Sequence, residues 1–230
     1  MDNTEFSTEF DILYNNISSN QAPELNEYEK SVFLTRAQED IVYSYYNGKN
    51  PSGESFESTE EIRRYLDSLI KTKVYTANDR ITDRRINKVA PVSIFFALPN
   101  DLAFITLEQV QFKDDSLGCA KTSVANVQPV TQDVFNKIKD NPFRGPTRYR
   151  VLRLDADDAI ELVSKYNIDR YTIRYMSKPT PIVLTTLPEG LSINGVSNET
   201  QCTLNSMLHN SILRRAVTLA TQAAGVVRDQ

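Results

Sequence analysis

The sequence predicts an α+β fold, with N-terminal helices and a C-terminal helix flanking a largely antiparallel β region. In the first third of the chain, and again near its C-terminus, apolar residues recur every three to four positions, which is the period of an amphipathic helix. Between these parts, segments rich in Val, Ile, Phe and Thr alternate with turn residues, which is typical of strands. We expect a helical region over 1–72, a β-rich region over 73–204 and a C-terminal helix over 205–230, integrated into one domain.

Three helices are expected in the first third of the chain. One apolar stripe predicts the first helix, and its residues are Phe6, Phe10, Leu13 and Ile17. Asn26 and Glu29 resemble a capping box at the start of a second helix of about twenty residues, which ends at Asn47–Gly48. Ser58 and Glu61 match a capping box better and predict the start of a third, short helix.

The middle of the chain is expected to form strands around short helices. Extended segments bounded by turn residues predict five strands, at 91–98, 102–112, 121–127, 148–154 and 170–176. One short helix should start at Thr131 and stop at Asn141–Pro142. Between the last two strands, Ile160, Val163 and Tyr166 recur every three residues, so we expect a second short helix there and not a strand.

The C-terminal helix has the clearest pattern. Its apolar residues lie three or four positions apart, at Leu208, Ile212, Leu213, Ala216, Leu219, Ala220 and Ala223. Gly225 follows at the position where a glycine commonly ends a helix. The small alanine side chains would let this helix approach a neighbour closely. Upstream of it, Ile182–Leu184 is a candidate edge strand in a proline-containing loop.

Composition excludes several classes of protein. A net charge of −4 and a pI of about 5.2 disfavour a dedicated nucleic-acid binder, because such proteins neutralise phosphates with a basic face. No apolar stretch is long enough to span a bilayer, so we expect no membrane partner. The sequence starts without the features of a signal peptide, which predicts synthesis in the cytoplasm. In that reducing compartment, Cys119 and Cys202 are expected to be small buried thiols.

The aromatic content is unusual, with eleven Tyr, ten Phe and no Trp. Tyrosine is common at protein contacts and equally common in strands. We interpret these tyrosines mainly as strand residues, with a role in protein contacts as the alternative.

The sequence shows little sign of catalytic chemistry. His209 is the single histidine, and we expect a structural or surface role for it within the last helix. The glycines form no phosphate-binding motif and the cysteines have no metal-site spacing, so we expect neither enzyme activity nor a cofactor. The alternative is a metal-dependent hydrolase that uses Asp155, Asp157 and Asp158, although these residues lack the glycine and distal Glu of a calcium-binding loop and favour a solvated loop.

Basic residues form two groups along the chain. The first group, which Asp79 precedes and Asp83 interrupts, contains Arg80, Arg84, Arg85 and Lys88. The second group contains Arg144, Arg148, Arg150 and Arg153. A mixed-charge surface is one interpretation, and salt bridges between subunits or contact with DNA in a channel is the other. Within the second interpretation, the interleaved aspartates favour subunit pairing because they would repel phosphate.

Two parts of the sequence resemble a virion structural protein family of tailed bacteriophages, and the closest likeness is to the crAss-like phages of gut Bacteroidales. The N-terminal likeness is carried by the segments 9–17, 25–31 and 40–48, which read EFDILYNNI, LNEYEKS and DIVYSYYNG. The C-terminal likeness is carried by LPEGL at 187–191 and by the run from Cys202 through His209 to Val217. The two parts cover roughly the first and last fifths of the chain, and neither is a catalytic motif.

The resemblance implies a structural subunit of the head-to-tail connector, or neck. Proteins of this kind form rings, commonly twelvefold, beneath the portal, where they line or surround the DNA channel and provide a seat for the tail. The implied partners are copies of the chain itself, the portal and other neck or tail proteins, with at most non-specific proximity to genomic DNA. The implied location is the virion, after synthesis in the bacterial host cytoplasm.

A ring requires one face of a subunit to bind a different face of the next. The arginine groups and the apolar face of the last helix are the candidate interfaces. Their residues are Arg80, Arg84, Arg85, Arg148, Arg150, Leu208, Ile212, Ala216 and Ala220. The alternatives to a connector are a tail-tube, tail-hub or minor head protein and, less favoured, the hydrolase.

Overall fold

The structure is a computed structural model that describes residues 1–18, 24–50, 53–81, 93–156 and 158–225. The described residues contain five α-helices and an eight-stranded sheet, so the predicted α+β class is confirmed. The chain forms two compact units: a helical unit of Met1–Leu69 with Lys178–Gln230, and a sheet unit of Ile70–Ser177. No helix among the described residues is long and apolar enough to cross a membrane.

The helices begin and end close to where apolar periodicity places them. In chain order they are α1 (Asn3–Ser18), α2 (Glu27–Tyr46), α3 (Glu60–Leu66), α4 (Gln132–Ile138) and α5 (His209–Ala223). Four of them belong to the helical unit, and α4 belongs to the sheet unit. Gly225 has φ of +69° just after α5, as expected for a glycine that ends a helix.

One of the two predicted capping boxes is present. The Glu29 amide donates to the Asn26 side chain at 2.9 Å, and the Asn26 amide donates to the Glu29 carboxylate at 2.9 Å. The box at Ser58 was wrong, because α3 is capped by Thr59 and its side chain makes no capping hydrogen bond. The Ser58 hydroxyl instead lies 2.9 Å from the Ser55 hydroxyl in the preceding turn.

Helix α5 packs against α1 and α2 and completes the core of the helical unit. The largest fully buried side chains on α1 and α2 are Phe6, Phe10 and Leu34. The buried Lys30 ammonium joins α1 to α2, since it lies 2.6 Å from an Asp11 carboxylate oxygen and 3.0 Å from a Glu27 oxygen. The helical unit is therefore held by a continuous apolar core and one well-paired internal cation.

The segment predicted as an edge strand at Ile182–Leu184 makes only one β-bridge, from Val183 to Thr200. Side chains of α2 bind the backbone of the two flanking residues. The Thr35 hydroxyl lies 3.2 Å from the Ile182 carbonyl and accepts from the Ile182 amide at 3.1 Å, and the Ser31 hydroxyl accepts from the Leu184 amide at 3.0 Å. Helix α2 therefore takes the place of a strand partner at these two residues, while Val183 pairs with Thr200.

The sheet unit contains eight strands. They are β1 (Ile70–Tyr75), β2 (Arg80–Ile81), β3 (Ser93–Ala97), β4 (Leu102–Lys113), β5 (Thr122–Pro129), β6 (Arg150–Ala156), β7 (Ala159–Val163) and β8 (Ile168–Ser177). Their order in the sheet is β1-β8-β4-β5-β6-β7-β3-β2. Every neighbouring pair is antiparallel except β5 and β6, which are parallel.

The helix predicted at 160–166 was wrong, because this segment forms β7 and a turn. All five residues of β7 are buried, between the antiparallel partners β3 and β6. A strand buried on both faces lacks the alternation of polar and apolar residues that marks a half-exposed strand. The apparent three-residue period therefore combined two buried residues of β7, Ile160 and Val163, with the partly buried Tyr166 that follows the strand.

The sheet curls until strands from opposite ends of its order touch. The Tyr75 hydroxyl on β1 donates to the Ala97 carbonyl on β3 at 2.8 Å. The Tyr75 ring also lies 5.2 Å from the Phe96 ring and 5.6 Å from the Tyr171 ring, between centroids. Burial raises the pKa of Tyr75 to about 12. The concave face encloses the main apolar core of this unit.

Candidate assembly surfaces

Arg148 and Arg150 belong to a short loop that links α4 to β6. We call residues 141–150 the arginine–aromatic loop. Arg150 is the first residue of β6, and its guanidinium folds back over the loop, where it donates to the carbonyls of Gly145, at 3.2 Å, and of Phe143. Arg148 is exposed. The two predicted residues therefore have different roles, since Arg150 orders the loop and Arg148 is exposed to solvent.

The arginine–aromatic loop is fixed by its own hydrogen bonds. The Asn141 side chain accepts from the amides of Phe143, at 2.8 Å, and Arg144, at 3.2 Å, and its carbonyl accepts from the Gly145 amide at 2.7 Å. A Cβ at position 145 would lie 2.7 Å from the Asn141 carbonyl oxygen, so only glycine fits there. The loop is thus ordered before it meets a partner, which lowers the entropic cost of binding.

Two aromatic rings project from this ordered loop. Phe143 is 86% exposed, the largest fraction among the large apolar side chains that the structure describes, and Tyr149 is 69% exposed. The Arg148 guanidinium lies 5.6 Å from the centre of the Tyr149 ring, and Arg144 is exposed beside Phe143. Aromatic residues and arginine are the residue types enriched at protein interfaces.

Arg80 lies elsewhere and has an internal role. It is the first residue of β2, and its guanidinium donates to the Ile168 carbonyl at the start of β8. This bond joins β2, the last strand in the order of the sheet, to β8, the second strand from the other end. The predicted residues Arg84 and Arg85 lie outside the residues that the structure describes.

The four residues singled out from the last predicted helix are buried within the chain, three of them on α5 and Leu208 directly before its first residue. They are Leu208, Ile212, Ala216 and Ala220, and none is more than 2% exposed. In this fold they pack the helix against its own neighbours, so a second subunit could reach them only if α5 detached. Ala220 also lines an apolar groove of about 330 Å³, together with Ala223, Ala224, Tyr14 and Tyr28.

A second exposed aromatic surface lies at the end of α2 and around α3. We call it the tyrosine–glutamate surface, and its residues are Tyr45, Tyr46, Glu57, Glu60, Glu61 and Tyr65. The rings of Tyr45 and Tyr65 meet edge to face, 5.9 Å apart, and the Tyr65 hydroxyl donates to Glu61. Burial and the negative charge of Glu57 together raise the pKa of Tyr46.

This surface corrects the interpretation of the tyrosines as mainly strand residues. Of the eleven, only Tyr75, Tyr171 and Tyr175 lie on strands. Six lie on helices, and three of these occupy the last turn of α2. The signal available in the sequence was a group of three tyrosines among the four residues 43–46, at the end of a predicted helix.

The carboxylates considered for a metal site are placed differently from one another. Asp155 forms an ion pair with Arg153, 3.1 Å from its Nε, whereas Asp157 lies outside the described residues. Among the residues that the structure describes, no three His, Cys, Asp or Glu side chains are grouped to hold a metal ion. The described residues therefore give the hydrolase alternative no support.

His209 and Cys202 lie inside the helical unit. The His209 ring is buried, with Nε2 at 3.1 Å from the Leu204 carbonyl and Nδ1 at 2.9 Å from the Met1 amino nitrogen. Burial lowers the pKa of His209 and raises the pKa of the free Cys202 thiol, which lies 3.3 Å from the Gln38 side-chain oxygen. The side chain of Cys119 lies outside the described residues.

Comparison with known proteins gives two concordant results. A family described as phage tail ring protein 3/4 matches residues 1–229. The chain is 50% identical to ring protein 3 of Bacteroides phage crAss001 over 222 residues, which cover 96% of this chain and 95% of that protein. It is also 36% identical to ring protein 4/5 of the same phage over 233 residues, or 97% of this chain and 93% of that protein.

Proposed function

Because the chain belongs to the phage tail ring protein 3/4 family of crAss-like phages, we propose that its copies form a ring of the head-to-tail connector. The chain is a structural component of the virion. In this role it docks between the portal and the tail, surrounds the channel through which DNA leaves the head, and has no catalytic activity.

The observation that carries this proposal is the arginine–aromatic loop. A ring needs heterologous contacts, in which one surface of a subunit binds a different surface of the next. Large apolar rings exposed on an ordered loop are costly to leave in water and are typical of a surface that is covered in an assembly. Arg148 and Arg150, predicted as interface residues, both belong to that loop.

The net negative charge of the chain suits a channel through which DNA must pass. A net charge of −4 on each copy gives the ring no overall basic face to neutralise phosphates. Genomic DNA would then stay close to the protein without being held, and ejection would meet little electrostatic resistance.

Quantitative mass spectrometry of purified virions tests the connector role. We expect the copy number of this chain to be close to that of the portal protein, with the portal and major capsid protein measured in the same sample as internal standards. Copy numbers in the hundreds would place the chain in the tail tube or on the capsid and contradict the connector. Absence from the virion would contradict any structural role.

The family description favours a second candidate, which is a ring within the tail itself. Copy number does not separate a tail ring from a neck ring of equal size. Antibody labelling of intact virions does, because the label falls directly beneath the head for a connector and at a distance from it for a tail ring. A label remote from the head would therefore replace the connector by the tail ring.

A further inference from the structure

We propose that the arginine–aromatic loop of one copy binds the tyrosine–glutamate surface of the next copy, and so forms the contact that closes the ring. This inference rests on the proposed function, since it assumes that copies of the chain assemble with one another. It adds to that function the two surfaces that meet and the chemistry by which they recognise each other.

The loop offers positive charge and apolar area at the same place. Residues 141–150 contain three arginines and no acidic residue. Arg144 and Arg148 are exposed, and each is next in sequence to one of the exposed rings, Phe143 and Tyr149. A guanidinium can pair with a carboxylate in two parallel hydrogen bonds and can also stack on an aromatic ring.

The tyrosine–glutamate surface offers the complementary groups. Residues 54–61 contain four glutamates and no basic residue, and the exposed Arg63 and Arg64 follow them on α3, where Arg64 pairs with Glu60. Glu57, Glu60 and Glu61 are exposed, the Tyr65 hydroxyl donates to Glu61, and the half-exposed rings of Tyr45 and Tyr65 are in contact. Tyrosine contributes a large contact area at low entropic cost, because its ring has few rotatable bonds. Carboxylates for the arginines thus lie next to rings for Phe143 and Tyr149.

Charge complementarity selects a second copy as the occupant. The loop is positive and would repel another loop, and the tyrosine–glutamate surface is negative and would repel its own equivalent. The favourable pairing joins the loop of one copy to the other surface of the next, which is a heterologous contact. Repetition of one heterologous contact gives a ring when the rotation closes.

Two charge-reversal variants test the pairing. The loop variant carries Arg144→Glu and Arg148→Glu, and the surface variant carries Glu57→Arg and Glu61→Arg, which leaves the Glu60–Arg64 ion pair at 2.5 Å in place. For each variant alone, the fraction of chains assembled into rings in native mass spectrometry should fall at least tenfold, because like charges then face each other at every contact. An equimolar mixture should regain them, since alternating copies place opposite charges at both kinds of contact.

The controls separate failure of this inference from failure of the proposed function. Reversal of two exposed cations outside the loop, Lys165→Glu and Arg170→Glu, should leave the rings intact. Two outcomes would contradict this inference alone, given that the wild type forms rings. One is that each test variant still forms rings by itself. The other is that the mixture stays unassembled although both variants melt like the wild type. A wild-type chain that stays monomeric at high concentration would contradict the proposed ring together with the inference.

Discussion

Glu108, Arg153 and Tyr171 form a buried polar group inside the sheet unit. The Glu108 carboxylate lies 2.6 Å from Arg153 Nη1 and accepts a hydrogen bond from the Tyr171 hydroxyl. Burial raises the pKa of Glu108 and of Tyr171. The three residues lie on β4, β6 and β8, so this group fixes three strands of the sheet relative to one another.

Replacement of Glu108 by Ala should destabilise the fold by about 3 kcal/mol, because it leaves the buried Arg153 guanidinium with only the exposed Asp155 as a partner and removes the acceptor of the Tyr171 hydroxyl. The double variant with Glu108→Leu and Arg153→Met should cost less than this single change, since no buried cation then lacks its buried partner. Urea denaturation of wild type and both variants measures the difference. A single variant that is as stable as the double variant would show that the ion pair does not hold the strands.

His209 should make folding stability sensitive to mild acid. Burial depresses the pKa of His209 in the folded chain, whereas the unfolded histidine titrates near pH 6.5. The folded form therefore binds the proton less readily, and the stability contributed by neutral His209 is complete above about pH 6.5 and is lost as the pH falls below it.

The measurement compares wild type with His209→Gln, which keeps a donor for the Leu204 carbonyl. Between pH 7.5 and pH 5, the wild type should lose more of its unfolding free energy than the variant does. Equal losses would mean that the histidine binds the proton equally readily in the folded and unfolded chain. The groups common to both proteins cancel in this difference.

Residues whose roles depend on near neighbours were predictable, and those with distant partners were not. Asn26 and Glu29 form the expected capping box because both ends of each hydrogen bond lie within four positions. Glu108 gave no signal, since its partners lie 45 and 63 positions away in sequence. Phe143 was missed for a different reason, because apolar character predicts burial unless the surrounding loop geometry is known.

At the scale of elements, α5 shows how strongly amphipathic periodicity determines packing. Every residue of its predicted apolar face that was proposed for an interface is buried against the chain's own helices. The pattern therefore identified the buried face correctly but could not identify what covers that face. In strand β7 the sequence pattern fails altogether, because a strand that is buried on both faces has no alternation of polar and apolar residues.

A charge placed on the buried face of α5 should unfold the helical unit. Ala216→Glu should cost more than about 3 kcal/mol, because it buries an unpaired carboxylate in a close-packed core. Thr218→Glu adds the same side chain on the exposed face of the same helix and should change stability by less than about 0.5 kcal/mol. Thermal melts followed by circular dichroism compare the two, and equal melting temperatures would contradict the packing described for α5.

At the scale of the whole molecule, the sequence indicated the α+β class, the helical ends and the central strands. It did not indicate which helices pack together, because periodicity reports that a face is buried and not what covers it. The packing of α5 on α1 and α2 joins segments about 200 positions apart, and it determines that residues 178–225 belong with the N-terminal helices.

The two ends of the sheet unit are partners in one ladder, with Ile70 on β1 opposite Met176 on β8. Partners on antiparallel strands lie about 5 Å apart, so the chain enters and leaves this unit at nearly the same point. A segment whose two ends are adjacent can be replaced as a unit, because the path of the flanking chain does not have to change. Recombination between ring proteins of this family could thus exchange the whole sheet unit in one event, with only two new junctions in the chain.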